Sequence, residues 1–206
     1  SGFRIAMRDL EIRGAGNLLG SGQSGHISSV GYDLYCQMVT EAVAELKGEP
    51  IPEPAEIKLE LPVDASLPAS YVEREDLRLE AYRRLAAVIS AAEVADIRTE
   101  WEDRYGPVPE DAEALLEVAR LRAECVRTGV TDVTVTKGPG FGGPKFVARI
   151  SPLALRTSAT IRLDRLYKGS VYKPEPQQLQ LHLNSAVSII NDLVSALADL
   201  VPEDEG

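Results

Sequence analysis

The sequence predicts an α+β fold: a helical N-terminal appendage, then a compact domain of amphipathic helices packed on a small mixed β-sheet, closed by a C-terminal helix. Two periodicities and their order carry this. Apolar residues recur at steps of three and four through residues 73–128 and again through 185–201, the spacing of one helix face. They alternate every second residue in 56–63 and 130–136, the spacing of a half-buried strand. Helices come first and a mixed set of strands later, which fits α+β rather than a regular βα alternation.

Taken in order, residues 3–13 alternate polar and apolar at helical spacing and end at Gly14. Gly14 to Gly25 holds five glycines, enough to let the backbone turn through positive φ and approach another surface closely. Val30 to Leu46 reads as an amphipathic helix through Tyr32, Tyr35, Val39, Ala42, Val43 and Leu46, closed by Gly48. Gly48-Glu49-Pro50-Ile51-Pro52-Glu53-Pro54 is a proline-stiffened linker and the best domain boundary. The division is therefore 1–48, then 49–70 as linker and edge strand, then 71–206 as the main domain.

Glu56 to Val63 places Ile57, Leu59 and Leu61 on one strand face, with Pro62 marking an edge or a strand end. Helices are predicted over Glu73–Ala91 (Leu77, Ala81, Leu85, Val88 inward) and Glu93–Tyr105 (Val94, Ile97, Trp101, Tyr105 inward). A third opens at Pro109-Glu110-Asp111 and ends at Gly129. Val130–Thr136, Phe146–Ile150, Thr160–Leu163 and Gln178–Leu183 are strand candidates, and residues 137–144 form a flexible hairpin loop. Ser185–Val201 is the last helix, with Ala186, Ile190, Leu193, Leu197 and Leu200 on its apolar face.

The chain has 206 residues, 44% hydrophobic and 26% charged, ordinary proportions for a globular protein. No apolar run reaches the roughly 20 residues of a membrane span. Cys36 and Cys125 stand far apart without a CxxC partner, which fits a reducing cytoplasm and no disulfide framework. With only His26 and His182 beside them, no metal-ligand spacing exists. The net charge is −10, of which residues 49–206 carry −9, so this larger part is expected to repel nucleic acid and to attract a basic protein surface. The four arginines Arg149, Arg156, Arg162 and Arg165 have few aromatic neighbours in sequence and do not change that expectation.

Gly14-Ala15-Gly16 invites a phosphate-loop reading, but there is no GxxxxGK[ST] pattern and no buried strand before the loop. No GxSxG and no Ser-His-Asp arrangement is present either, so no catalytic residue is expected in this chain. A second constellation lies in the main domain. Glu93, Asp96, Glu100 and Asp103, spaced three, four and three, form one stripe opposite Ile97, Trp101 and Tyr105. Four like charges gain nothing locally. Either the stripe is simply a solvated face, or it is a docking face for an arginine-rich partner.

The opening segment, GF-x-IA-x-x-DL-x-x-RG-x-G-x-x-x-G-x-x-QSG from Gly2 to Gly25, closely resembles the translocation motif of RecG-type helicases and of the bacterial transcription-repair coupling factor (Mfd) family. The wording IAMRDLEIRGAGNLLG, with GHI and VGYDLY after it, favours the coupling-factor family. The chain opens inside this motif and reads as a fragment of a longer protein. The resemblance implies that Arg13 and Gln23 couple ATP hydrolysis to movement on double-stranded DNA, with ATP and Mg bound in the motor and no cofactor in this fragment. Arginine's rigid donor fork and a partner-switching amide suit that task, although Arg13 could equally cap its helix or pair with Glu11.

Leu77-Arg78-Leu79-Glu80-Ala81-Tyr82-Arg83-Arg84-Leu85 and Asp103-Arg104-Tyr105-Gly106-Pro107-Val108-Pro109-Glu110 resemble the same family's C-terminal domain. There the resemblance implies contact with the protein's own N-terminal UvrB-like module through Glu100, Asp103 and Arg104, masking recruitment of UvrA. The longer protein would also engage stalled RNA polymerase. The implied role is regulatory autoinhibition; the alternatives are the end of a RecG-like DNA-processing helicase, or a passive stability domain. A dimer of the isolated fragment, through exposed strand edges or an unpaired docking face, is a further expectation.

Overall fold

The computed structural model describes residues 27–28, 47–48 and 57–203. The glycine loop with Arg13 and Gln23, the helices expected over 3–13 and 30–46, and the linker prolines lie outside the described residues. The described elements are β1 (Ile27–Ser28), β2 (Lys58–Leu61), α1 (Glu75–Ala86), α2 (Ala91–Tyr105), α3 (Glu110–Thr128), β3 (Asp132–Lys137), β4 (Phe146–Ser151), α4 (Thr157–Leu166), β5 (Val171–Lys173), β6 (Gln178–Leu183) and α5 (Ile189–Leu200). They form an α+β domain, as the two periodicities predict.

The sheet runs β1-β2-β3-β4-β6-β5. Only β2 and β3 are parallel; every other neighbouring pair is antiparallel. A parallel pair cannot be joined by a tight turn and needs a long crossover. Here α1, α2 and α3 supply it. β2 stops at Leu61, ahead of Pro62, and pairs on both sides, with β1 and with β3. It is thus an inner strand and not an edge strand; of the two readings of Pro62, the strand end holds. A proline just past the strand costs the ladder nothing.

One face of the sheet is apolar. Leu59 and Leu61, Val133 and Val135, Ala148 and Ile150, and Leu179, Leu181 and Leu183 all point to it and are buried. The helices cover this face. α3 is the centre: Leu115, Leu116, Val118, Ala119, Leu121, Ala123 and Cys125 are all buried, and α1, α2 and α5 pack around it. At Gly129 the chain leaves α3 through the left-handed region, with φ of 77°, a conformation that costs glycine no Cβ clash. α5 turns Ile189, Ile190, Leu193, Val194, Leu197 and Leu200 into the same core.

Three predicted elements differ. Thr160–Leu163 belongs to helix α4, not to a strand. The β-branched Thr160 and Ile161 mimic a strand, but the buried pair Ala159 and Leu163 lies four residues apart while Ile161 faces solvent, which is helical spacing. α5 begins at Ile189, so Ala186 lies outside the helix and is exposed. The first helix ends at Ala86 because Ser90 opens the next one. Val88 stays buried in the short link between them.

Polar ties fix the helices to one another. Arg127 of α3 reaches the C-terminal end of α5, donating to the carbonyls of Val201 (2.5 Å) and Leu197 (3.4 Å) while Glu124 holds its guanidinium at 2.7 Å. The Leu197 carbonyl also accepts from the Val201 backbone N–H at 2.9 Å, and a cation suits the negative end of the helix dipole. Tyr167 donates to Asp199 at 2.5 Å and Arg162 donates to the Asp199 carbonyl, joining α4 to α5. Burial, reinforced by the Asp199 carboxylate, pushes the Tyr167 hydroxyl well above the usual phenol range. The buried Arg78 donates to the carbonyls of Val72 and Glu73 at 2.6 and 2.8 Å.

Arg127→Ala should lower unfolding free energy by about 2 kcal/mol in urea titration, the scale of hydrogen bonds from a charged donor. An unchanged midpoint would mean that the α5 carbonyls find water equally well.

Candidate functional site

α2 is the helix that carries the predicted docking residues. It starts at Ser90, whose hydroxyl accepts from the Glu93 backbone N–H at 3.3 Å, while the Glu93 carboxylate accepts from the backbone N–H groups of Ile89 (2.7 Å) and Ser90 (3.2 Å). This reciprocal arrangement is a capping box. Glu93 is therefore engaged in starting the helix. The acidic stripe in practice consists of Asp96, Glu100 and Asp103.

The opposite face anchors α2. Val94, Ile97 and Trp101 are buried, as predicted, and Tyr105 is half-buried. Tyr71, from the segment before α1, packs its ring edge-on against Tyr105, with centroids 5.6 Å apart. Its hydroxyl lies 3.1 Å from the Trp101 carbonyl and 2.8 Å from the Gly106 carbonyl, and donates at the point where α2 ends. Burial first, and the Glu102 charge second, raise the Tyr71 hydroxyl above the ordinary phenol value.

On the outward face the charges form two linked groups. Glu100 accepts from Arg84 of α1 through Oε2, and from Arg104, one turn further along α2, through Oε1 at 3.3 Å. The Arg84 hydrogen bond chiefly holds the Glu100 carboxyl below the usual carboxylate range. Arg104 also lies over the Tyr105 ring, 5.2 Å from its centroid, a cation–π contact. Beside this group, Arg98 grips Glu113 of α3 with two bonds of 3.1 and 2.9 Å and also donates to Glu102. Asp96 and Asp103 are exposed and make no ion pair among the described residues.

Glu100 and Asp103, two of the stripe residues, thus sit with Arg104 on one turn of α2. Three residues that organise this turn escape sequence reading: Tyr71, Arg84 and Arg98. Arg84 lies 16 residues from Glu100 and Tyr71 lies 35 from Gly106, so no local periodicity links them. Chemically the turn offers an ionised carboxylate with a fixed orientation, a second carboxylate open to a partner, and a guanidinium stacked on an aromatic ring. Such a surface suits a partner of mixed charge, with a cation for Asp103 and a carboxylate for Arg104. Among the described residues, no group of three or more His, Cys, Asp or Glu side chains converges to hold a metal ion, and no helix is long and apolar enough to cross a membrane.

A model of the TRCF domain matches residues 61–142, a span that runs from the last residue of β2 through all three crossover helices and β3. The transcription-repair-coupling factor of Mycobacterium tuberculosis is 41% identical over 222 residues, covering 96% of this chain and 17% of its own length. That of Staphylococcus haemolyticus is 47% identical over 133 residues, covering 64% of this chain and 11% of its own. The chain belongs to the transcription-repair coupling factor family. The Myxococcus xanthus member is 36% identical and covers 94% of this chain and 16% of its own. Among solved structures, the C-terminal domain of a transcription-repair coupling factor shares the fold, with a TM-score of 0.59 at 16% identity, covering 74% of this chain and 96% of that one. This coupling-factor chain therefore spans less than a fifth of the length of the curated relatives it matches.

Two outcomes check the geometry. Tyr71→Phe should cost about 1 kcal/mol, read as a lower midpoint in urea, because two carbonyls at the end of α2 lose their donor. For the Glu100 group, the folded-state value lies below the unfolded one, so its contribution is present above the ordinary carboxylate range and lost as pH falls through the folded value. The difference in unfolding free energy between the native chain and Glu100→Gln should thus be under about 1 kcal/mol near neutrality, given the exposure of the pair, and shrink below about pH 4.

Proposed function

We propose that this region is the regulatory lid of a DNA translocase. It docks through the outward face of α2 on the N-terminal UvrB-like module of its own protein and masks the surface that recruits UvrA. The mask stays closed until the motor engages a stalled RNA polymerase. ATP, Mg and double-stranded DNA belong, in this reading, to the motor of the longer protein, with Arg13 and Gln23 in its translocation motif. The family membership supplies the context. The observation that carries the reading is the turn on which Glu100 is held ionised between Arg84 and Arg104 with Asp103 open beside it.

A rigid helix is well suited to this task. Its anchor side is fixed by Trp101 and Tyr71 before any partner arrives, so docking orders few side chains and loses little entropy. An exposed charged contact is weak and salt-sensitive, which a lid that must open requires. The lid shifts the closed–open balance only by its differential affinity for the two states. A change of one charged contact therefore moves repression measurably.

Titrating this chain calorimetrically into the separately produced UvrB-like module should give a weak association that weakens further with salt. Glu100→Ala/Asp103→Ala should reduce it by about tenfold, or about 1.4 kcal/mol. Equal affinity of the variant and the native chain would move the contact elsewhere. No association by the folded chain would favour a passive domain.

A further inference from the structure

The net charge of −10 conceals a separation of charge within the fold. Residues 57–128 carry ten basic and sixteen acidic side chains, whereas residues 132–183 carry eight basic and three acidic. In α1, α2 and α3 the arginines are engaged: Arg83 with Glu80, Arg84 and Arg104 with Glu100, Arg98 with Glu113, Arg120 with Glu117 and Arg127 with Glu124. The β3–β4 hairpin is different. The side chains of Lys137, Lys145 and Arg149 make no hydrogen bond or ion pair among the described residues.

These three cations line one arm. Lys137 pairs with Phe146 at the end of the hairpin, and Gly138 donates to the Lys145 carbonyl at 2.7 Å, carrying the ladder one step further. Arg149 sits opposite Thr134 and Gln180 on the sheet face away from the helices, since its neighbours Ala148 and Ile150 are buried in the core. On that face Glu60 lies across Thr134 from Arg149 and Asp132 stands beside Thr134, whereas from Thr136 to the hairpin end it holds Thr136, Val147 and His182 and no carboxylate; Lys137, two residues on from the buried Val135, lies on the opposite face.

The tip is a built turn rather than a slack loop. Gly143 donates to the Gly140 carbonyl at 3.1 Å. A Cβ on Gly138 would lie 1.8 Å from the Pro144 carbonyl oxygen, and one on Gly143 would lie 2.8 Å from the Pro139 ring. Only glycine permits this closure. It leaves Phe141 at the outermost point with its side chain wholly in solvent.

We propose that the β3–β4 hairpin is a finger for duplex DNA, in which Lys137, Lys145 and Arg149 take backbone phosphates and Phe141 enters the groove. β6 flanks β4 as far as Phe146, so residues 138–145 alone project beyond the sheet, and an apolar side chain at the end of such a basic arm can wedge between base steps from the minor groove. Phe141 alone is too small to form the core of a protein interface, which needs about 800 Å² from each partner. The acidic helices lie on the other side of the sheet, and at about 0.1 M salt charges more than about 10 Å apart are largely screened. Repulsion expected from the net charge therefore does not extend to the hairpin end, which projects beyond Glu60 and Asp132. The finger is separate from the α2 surface, and its test does not depend on the lid.

The experiment is fluorescence anisotropy of the whole chain on a mixed-sequence duplex of about 20 base pairs, between about 50 and about 200 mM salt. Binding should weaken as salt rises. Lys137→Ala/Lys145→Ala/Arg149→Ala should flatten the log–log slope by roughly 0.9 for each phosphate contact removed. Phe141→Ser, a change in a fully exposed side chain that leaves the fold intact, should weaken binding about tenfold at unchanged slope. Three results would overturn the proposal: no binding at the lowest salt, binding indifferent to both variants, or equal binding of polyglutamate with the same dependence on Phe141. The last would make the finger a contact for an acidic protein.

Discussion

The constraint on which the rest of the structure depends is the near-complete burial of α3. A helix whose Leu115, Leu116, Val118, Leu121 and Cys125 are all inside cannot be satisfied by one neighbour. The sheet covers one side, and α1, α2 and α5 must cover the others. At roughly 2 kcal/mol for each large apolar side chain removed from water, this burial outweighs any single surface ion pair in the domain. It also explains the parallel β2–β3 pair. The crossover joining those strands is the segment that wraps α1 and α2 over α3.

The orientation of α2 follows from that wrapping. Ile97 and Trp101 have to face inward, which leaves Glu100, Asp103 and Arg104 outward on the same turn. The ion pairs add orientation more than energy. Arg98 fixes α2 to α3 through Glu113, and Arg84 fixes Glu100 to α1, both at side chains more than a third exposed. The candidate docking surface is thus a consequence of core packing, with its charges steered by neighbours on two other helices.

Much of this was legible in the sequence because periodicity reports burial directly. Val94, Ile97 and Trp101 announced α2's inner face, and alternation in Gln178–Leu183 announced β6. The S-x-x-E signature at Ser90 and Glu93 was also there to be read, and would have removed Glu93 from the acidic stripe. What periodicity could not give were contacts between distant elements. Arg84, Tyr71 and Arg127 act on partners 16 or more residues away, through geometry that exists only after folding. Thr160–Leu163 misleads because β-branched residues carry a strand preference that burial of Ala159 and Leu163 overrides.

The central claim is that α2 presents a preformed surface whose open carboxylate is Asp103. Carbodiimide labelling of carboxyl groups, read residue by residue by mass spectrometry, tests it directly in the presence and absence of the UvrB-like module. The account predicts that Asp103 labels readily in the chain alone and is protected when the module is added, while carboxylates of other elements, such as Asp164 of α4 and Glu175 between β5 and β6, label equally in both. Protection elsewhere with Asp103 unchanged would contradict it.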